Sequence, residues 1–460
     1  MSSRESGVPH EDLGLFTDLY ELTMAQAFFR QGMAADATFS LFIRSYPPNR
    51  GYLVAAGLSD VLDYLENLQF GGASIEYLRS TGMFNADFLE YLVGLRFTGS
   101  VRAIPEGRLF FTNEPIVEVT GPIIEAQLAE TFVINQINLQ TLLATKAARC
   151  QSAAPTKVLS DFASRRTQGT DAALKMARTG YLAGFQSTSN VLAAQRYGIP
   201  PSGTMAHSFI SSFGSELEAF RVYASTFPDR AILLLDTYDT IEGAAHAVAV
   251  AQGMESAGHR LFGVRLDSGD YLDLSKRVRR ILDDSGLNYV KIVASGGLDE
   301  FELDRLERGG APIDIYGVGT KVGTTADAPY SDMVYKLVSY DQQPVMKLSE
   351  GKIYHPGAKQ VFRRQDGDGA FAQDILTLAN ETLPAGEPLL AEVMTGGKRS
   401  APSPTLDQIR RQFQEDFRRL DEHYKRLHQP PRYPVTVSPK LAALSSQVQA
   451  QLAENSSENL

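Results

Sequence analysis

The sequence predicts an α/β protein with an irregular (β/α) barrel at its centre, and three observations carry that prediction. Four apolar runs, residues 231–235, 261–266, 290–294 and 313–318, read as buried parallel strands. Each ends on a polar or glycine-rich signal: Asp236, then Asp267-Ser268-Gly269-Asp270, then Ser295-Gly296-Gly297, then Gly317-Val318-Gly319-Thr320. Helix-compatible segments such as 241–257 and 272–284 lie between the runs, and strand starts recur about every 22 to 31 residues, the spacing of βα units. A barrel fits this alternation better than an open sheet, although spacing alone does not separate the two.

The remaining elements follow in order. Residues 13–34 read as a helix, because Leu15, Leu19, Leu22, Met24, Ala25 and Phe28 recur at helical spacing. A second helix covers 56–67, with Leu58, Val61, Leu62 and Leu65 on one face. From 99 to 119 short alternating runs are punctuated by Pro105, Gly107, Asn113 and Pro115, the pattern of strands and turns. A long helix over 123–149 completes an N-terminal α/β domain, residues 1–150. Within a barrel spanning 151–335, residues 157–162 and 203–208 are further candidate strands around helices 171–183 and 189–197. Near Lys336 the alternation stops: 335–348 and 351–362 read as antiparallel strands, and 406–427 as a charged helix striped by Ile409, Phe413, Phe417 and Leu420. The C-terminal segment therefore runs over 336–440, and residues 441–460, rich in Gln, Ser, Glu and Asn, are expected to be a mobile tail.

Composition narrows the function. A chain of 460 residues needs two or three cores. A formal charge of −10 argues against a general nucleic-acid binder, whose affinity comes from clustered Lys and Arg, but leaves room for a small phosphorylated substrate in a local basic pocket. Cys150 is the single cysteine, so neither an intrachain disulfide nor a cysteine-rich zinc site is possible, and a cytoplasmic location is expected. Residues 1–12 hold no apolar run of the signal-peptide kind, and no stretch of about 18 apolar residues occurs, so no membrane partner is expected.

In barrels, function gathers at the carboxyl ends of strands. Gly296-Gly297 and Gly319-Thr320 have two readings, a place where a phosphate approaches the backbone and a tight βα turn. Asp236, Asp267 and Asp270 suit a hydrated Mg²⁺ or ribose hydroxyls, while any one of them could be a helix N-cap. Arg265 interrupts an apolar run and should point to the same side as Asp267, either toward an anionic ligand or into a buried ion pair. Arg165-Arg166 could face a diphosphate or sit as a solvated pair. His207 stands alone after Gly203-Thr204-Met205-Ala206, with no metal-ligand spacing to its nearest histidine, His246.

Together these stretches resemble the nicotinate phosphoribosyltransferase family. The resemblance rests on Thr17-Asp18-Leu19-Tyr20-Glu21-Leu22, Arg165-Arg166-Thr167-Gln168-Gly169, Ser187-Thr188-Ser189-Asn190-Val191-Leu192 and Gly203-Thr204-Met205-Ala206-His207-Ser208. It continues through Gly263-Val264-Arg265-Leu266-Asp267-Ser268-Gly269-Asp270, Ser295-Gly296-Gly297-Leu298 and Gly317-Val318-Gly319-Thr320. The departures are Asp161-Phe162-Ala163-Ser164, where a Glu-Phe-Gly-Thr-like run is usual, and Phe185-Gln186-Ser187 in place of Phe-Asp-Gly.

The resemblance implies a type II phosphoribosyltransferase fold, an irregular barrel with an α/β domain built from both chain ends. It implies an enzyme of NAD biosynthesis, and a homodimer in which Tyr20 stacks on the substrate ring at its own or the partner subunit's site. Nicotinate and phosphoribosyl diphosphate would give nicotinate mononucleotide and diphosphate, with Mg²⁺ present and ATP hydrolysed alongside. Arg265 and Thr204 would hold the nicotinate carboxylate, Arg166 with Mg²⁺ the departing diphosphate, and Asp236 and Asp267 the ribose hydroxyls or metal-bound water. Gly296, Gly297, Gly319 and Thr320 would cradle the 5′-phosphate, and His207 would accept a phosphoryl group from ATP. The competing readings are a nicotinamide or quinolinate phosphoribosyltransferase, a phosphate-binding barrel aldolase or isomerase using Lys321, and a binding protein without catalysis.

Overall fold

The computed structural model describes residues 8–348 and 354–458. The chain forms two compact units, Met1–Thr145 with Tyr330–Leu460, and Lys146–Pro329. The divisions fall at 145/146 and 329/330 rather than at 150/151 and 335/336. The first of them lies inside a continuous helix, Glu130–Ala153, whose end is not a domain boundary.

The first unit is built on a seven-stranded sheet in the order Gln343–Pro344, Met333–Tyr340, Asp36–Ile43, Val117–Pro122, Ser100–Ala103, Ala391–Thr395, Lys398–Arg399, with every pair antiparallel. Asp36–Ile43 is central and buried from Ala37 onward, so both of its faces are covered, including the one that carries Thr38 and Ser40. Phe39 stacks on Tyr335 with ring centroids 4.9 Å apart. The helix Ile123–Leu128 packs on this strand and on the helix Leu19–Arg30. The helix expected over 13–34 is divided into a 3-10 turn, His10–Leu15, and Leu19–Arg30, because Asp18 takes an extended conformation between them.

A four-stranded sheet, ordered Glu387–Pro388, Lys359–Gln365, Phe371–Leu378, Val435–Val437, comes entirely from the C-terminal segment. The strand expected over 351–362 begins at Lys359, and residues 351–353 lie outside the described ones. The charged helix is Leu406–Arg419, opened by a Thr405–Gln408 capping box, and it ends at Arg419 rather than near 427. The segment read as a mobile tail forms the helix Pro439–Glu458 instead. Leu441 and Val448, two turns apart on one face, are buried and anchor it, a signal that its polar composition masked.

The second unit carries a six-stranded sheet in the order Ser187–Thr188, Val158–Asp161, Ile315–Val318, Lys291–Ser295, Gly263–Leu266, Ile232–Leu234. Every pairing in it is parallel, and all four apolar runs lie in it side by side. Among the described residues no ladder joins the edge strands Ser187–Thr188 and Ile232–Leu234, so the expected barrel is seen as an open parallel sheet. Only an isolated parallel bridge, Thr188 to Pro201, extends the first edge. Residues 203–208 are not a strand; after Pro200 and Pro201 they run irregularly into the helix His207–Ser211. Because the strands are parallel, their carboxyl ends share one edge, where ligands of open α/β sheets bind.

Candidate active site

That edge opens into a cavity of about 500 Å³ whose lining includes Phe162, Arg165, Thr204, His207, Arg265 and Asp267. Arg265 projects from the strand Gly263–Leu266 and is buried. Its Nη1 donates to Thr204 Oγ1, and its Nη2 stands 3.9 Å from Asp267 Oδ1. The Nε is buried without a hydrogen-bond partner. Burial lowers the guanidinium pKa and Arg165 adds to this, against the pull of Asp267 and Asp236. Arg265 is therefore not locked into a tight ion pair, and its position on the cavity with an unused donor suits it chemically to an anion.

The aspartates divide by role. Asp236 Oδ2 accepts from the Asp267 backbone N–H at 3.2 Å and from the Ser268 hydroxyl, while its Oδ1 is buried without a partner. Asp267 accepts from the Ser295 hydroxyl. Asp270 follows the bland alternative and caps the helix Tyr271–Asp284 through Leu272 N–H at 3.1 Å. His207 opens its helix half-exposed, with Nδ1 3.1 Å from Thr237 Oγ1 and Nε2 3.9 Å from Asp267 Oδ2. The isolated histidine of the sequence thus stands beside the Arg265–Asp267 pair.

Arg165 and Arg166 share the 3-10 turn Ser164–Arg166 and are both exposed. Arg165 lines the cavity, whereas Arg166, the residue singled out from the sequence, is not among its lining residues. Gly296 sits at φ +93°, and a Cβ there would lie 2.4 Å from the Asp267 carbonyl oxygen, so only glycine fits. Gly297 follows at φ +67° with open space around it. Gly319 precedes the short helix Thr320–Gly323, and Thr320 is exposed. Tyr20 belongs to the first unit, exposed on the helix Leu19–Arg30.

Sequence reasoning placed Ser295 at a strand end without giving it a role, and missed Ser164, Thr237 and Tyr271. Each is an ordinary hydroxyl residue in an ordinary context, and only the fold brings them to the strand ends. The lysines that an aldolase would need are engaged: Lys321 Nζ lies 2.9 Å from Asp299, and Lys291 Nζ 3.0 Å from Asp314.

A parallel sheet whose carboxyl edge holds a buried arginine, two aspartates and glycine turns defines an α/β enzyme for anionic, phosphorylated substrates. Comparison with known proteins narrows the class. The nicotinate phosphoribosyltransferase (NAPRTase) N-terminal domain matches residues 15–138, the NAPRTase family residues 158–351, and the nicotinate phosphoribosyltransferase C-terminal domain residues 385–445. A nicotinate phosphoribosyltransferase of Mycobacterium tuberculosis is 49% identical over 431 residues, covering 93% of this chain and 92% of its own. That of Bacillus subtilis is 37% identical over 467 residues, covering 94% of each. The crystal structure of human nicotinic acid phosphoribosyltransferase superposes with a TM-score of 0.86 at 32% identity, covering 94% of this chain and 99% of that one. The chain belongs to the nicotinate phosphoribosyltransferase family.

Proposed function

We propose that this enzyme joins nicotinate to phosphoribosyl diphosphate, releasing nicotinate mononucleotide and diphosphate in NAD biosynthesis. The observation that carries this reading is Arg265, a buried guanidinium that touches a hydroxyl and keeps its Nε unused. A pyridine carboxylate would complete it, whereas the uncharged amide of nicotinamide would leave the buried cation without a counter-charge. The lone pair of the ring nitrogen forms the bond to C1 of the ribose as the C1–O bond to diphosphate breaks, with positive charge developing on the sugar. Asp236 and Asp267 would hold the ribose hydroxyls, Gly296, Gly297, Gly319 and Thr320 the 5′-phosphate, and Arg165 and Arg166 the departing diphosphate.

Among the described residues no group of three His, Cys, Asp or Glu gathers as a metal cage. The residues present nevertheless fit Mg²⁺ held mainly by substrate oxygens and water, with Asp267 and the partnerless Oδ1 of Asp236 as the carboxylates available to it. Bound there, the ion would neutralise diphosphate charge. His207, half-exposed in the cavity, would take the terminal phosphoryl group of ATP: an N–P bond forms, ADP leaves, and water later hydrolyses the phosphohistidine. The same reading carries a homodimer in which Tyr20 covers the substrate ring, a cytoplasmic location, and an irregular barrel that continues the parallel sheet of the second unit.

The test is product analysis with nicotinate, phosphoribosyl diphosphate and Mg²⁺, with and without ATP, in the wild type and His207→Ala. The wild type is expected to form nicotinate mononucleotide with ATP stimulating it, and the variant to form it without stimulation. Undiminished stimulation in the variant removes the role of His207. Absence of diphosphate release in the wild type removes the function.

A further inference from the structure

Tyr271 begins the helix Tyr271–Asp284 just after the aspartate loop, and its side chain is buried. Its hydroxyl lies 2.6 Å from the Ser295 carbonyl and 2.9 Å from the carbonyls of both Asp267 and Gly296. Burial is the first of the causes that raise its pKa, so the phenol stays protonated and remains a donor. These three acceptors belong to two different turns, the one after Gly263–Leu266 and the one after Lys291–Ser295. The turns touch a second time where the Ser295 hydroxyl donates to the Asp267 carboxylate. They also meet at Gly296, where an added Cβ would lie 2.9 Å from the Tyr271 oxygen. No backbone hydrogen bond joins residues 267–270 to residues 295–297 among the described contacts, so the phenol stands in for one.

We propose that Tyr271 is a positioning residue that fixes the spacing between the Asp267 turn and the Gly296-Gly297 turn, and thereby sets the site for a ribose carrying a 5-phosphate. The inference rests on the functional reading above, in which one turn meets the ribose hydroxyls and the other the 5′-phosphate. In a phosphoribosyl donor these groups sit at a separation fixed by covalent bonds. Two turns held at the matching separation bind both groups together, and two turns free to drift bind each of them alone. Without Mg²⁺, inorganic diphosphate needs neither turn, because its contacts would then come from the Arg165 turn, and the two probes are compared in metal-free buffer.

Tyr271→Phe removes one oxygen and leaves the ring in its buried place. Competition against phosphoribosyl diphosphate measures the effect, with ribose 5-phosphate and inorganic diphosphate as separate probes. The variant is expected to bind ribose 5-phosphate about tenfold or more weakly, while its affinity for diphosphate changes by less than about twofold. The KM for nicotinate is expected to hold, and the melting temperature to fall by no more than a few degrees. Equal loss for both probes would make Tyr271 merely structural, and loss for neither would remove its role; either result overturns the proposal. Ser295→Ala, which breaks the second tie between the turns, serves as a check should Tyr271→Phe fold poorly, and is expected to weaken ribose 5-phosphate selectively as well. A wild type that makes no pyridine nucleotide would instead overturn the functional reading, a separate outcome of the same assays.

Discussion

Arg363 in the first unit and Arg265 in the second are both guanidiniums withdrawn from water, yet they are held in opposite ways. Arg363 donates through Nε and Nη2 to both oxygens of Asp374, at 3.0 and 2.6 Å, and lies over the rings of Phe111 and Phe371. Burial alone would lower its pKa, but Asp374, Glu114 and Asp416 outweigh burial and raise it. For Arg265 burial prevails, because its nearest carboxylate is 3.9 Å away and its firm partner is a hydroxyl. The contrast separates scaffold from site. Arg363 Nη1 also lacks a hydrogen-bond partner, but it lies 3.6 Å from Asp416, so the charge of Arg363 is answered by carboxylates of the scaffold, whereas that of Arg265 is left for an anion.

The largest expected effect on stability follows from that difference. Arg363→Ala would strand Asp374 in the interior and is expected to cost about 3–5 kcal/mol, read as a shift of the urea midpoint by circular dichroism. Arg265→Gln removes a cation with no tight partner, so its stability should stay within about 1 kcal/mol of the wild type. If the two variants lose comparable stability, the distinction between a closed and an open guanidinium fails.

A smaller effect tests the same idea with a carboxyl group. Glu21 is buried, with the Thr17 and Thr131 hydroxyls donating to it at 2.5 and 2.6 Å, and among the described residues no cation acts on it. Burial raises its pKa from 4.5 to about 7. A pKa raised on folding contributes stability that is full below the unfolded value and is lost as pH rises through the folded one. The stability of the wild type relative to Glu21→Gln should therefore fall between pH 4.5 and about 7 and level off above that. A flat difference across this range would show that the carboxyl is solvated.

Much of the second unit was legible in the sequence because a parallel strand buried on both faces is an unbroken apolar run, and each such run ended on the residues that now form the site. Arg265 was legible for the same reason, since a charge inside an apolar run has to be explained. The first unit was harder to read. Its central strand, Asp36–Ile43, alternates polar and apolar residues as far as Leu41, the pattern of a half-exposed strand, yet both of its faces are covered. The helix Pro439–Glu458 was hidden by a polar composition that two buried side chains outweigh. The choice between Arg165 and Arg166 depended on how one 3-10 turn faces the cavity, and adjacent residues carry no such information. Tyr271 was beyond the sequence altogether, because its importance lies in two turns that approach each other only in the folded sheet.

The central claim is that Arg265 is an open receptor for the nicotinate carboxylate, and acceptor choice tests it most directly. With phosphoribosyl diphosphate, Mg²⁺ and ATP supplied, kcat/KM would be measured for nicotinate and nicotinamide in the wild type and in Arg265→Gln. The wild type is expected to prefer nicotinate strongly, and the variant to lose about 10²–10³-fold toward nicotinate while changing little toward nicotinamide. A wild type that prefers nicotinamide, or a variant that keeps its preference for nicotinate, would contradict the account.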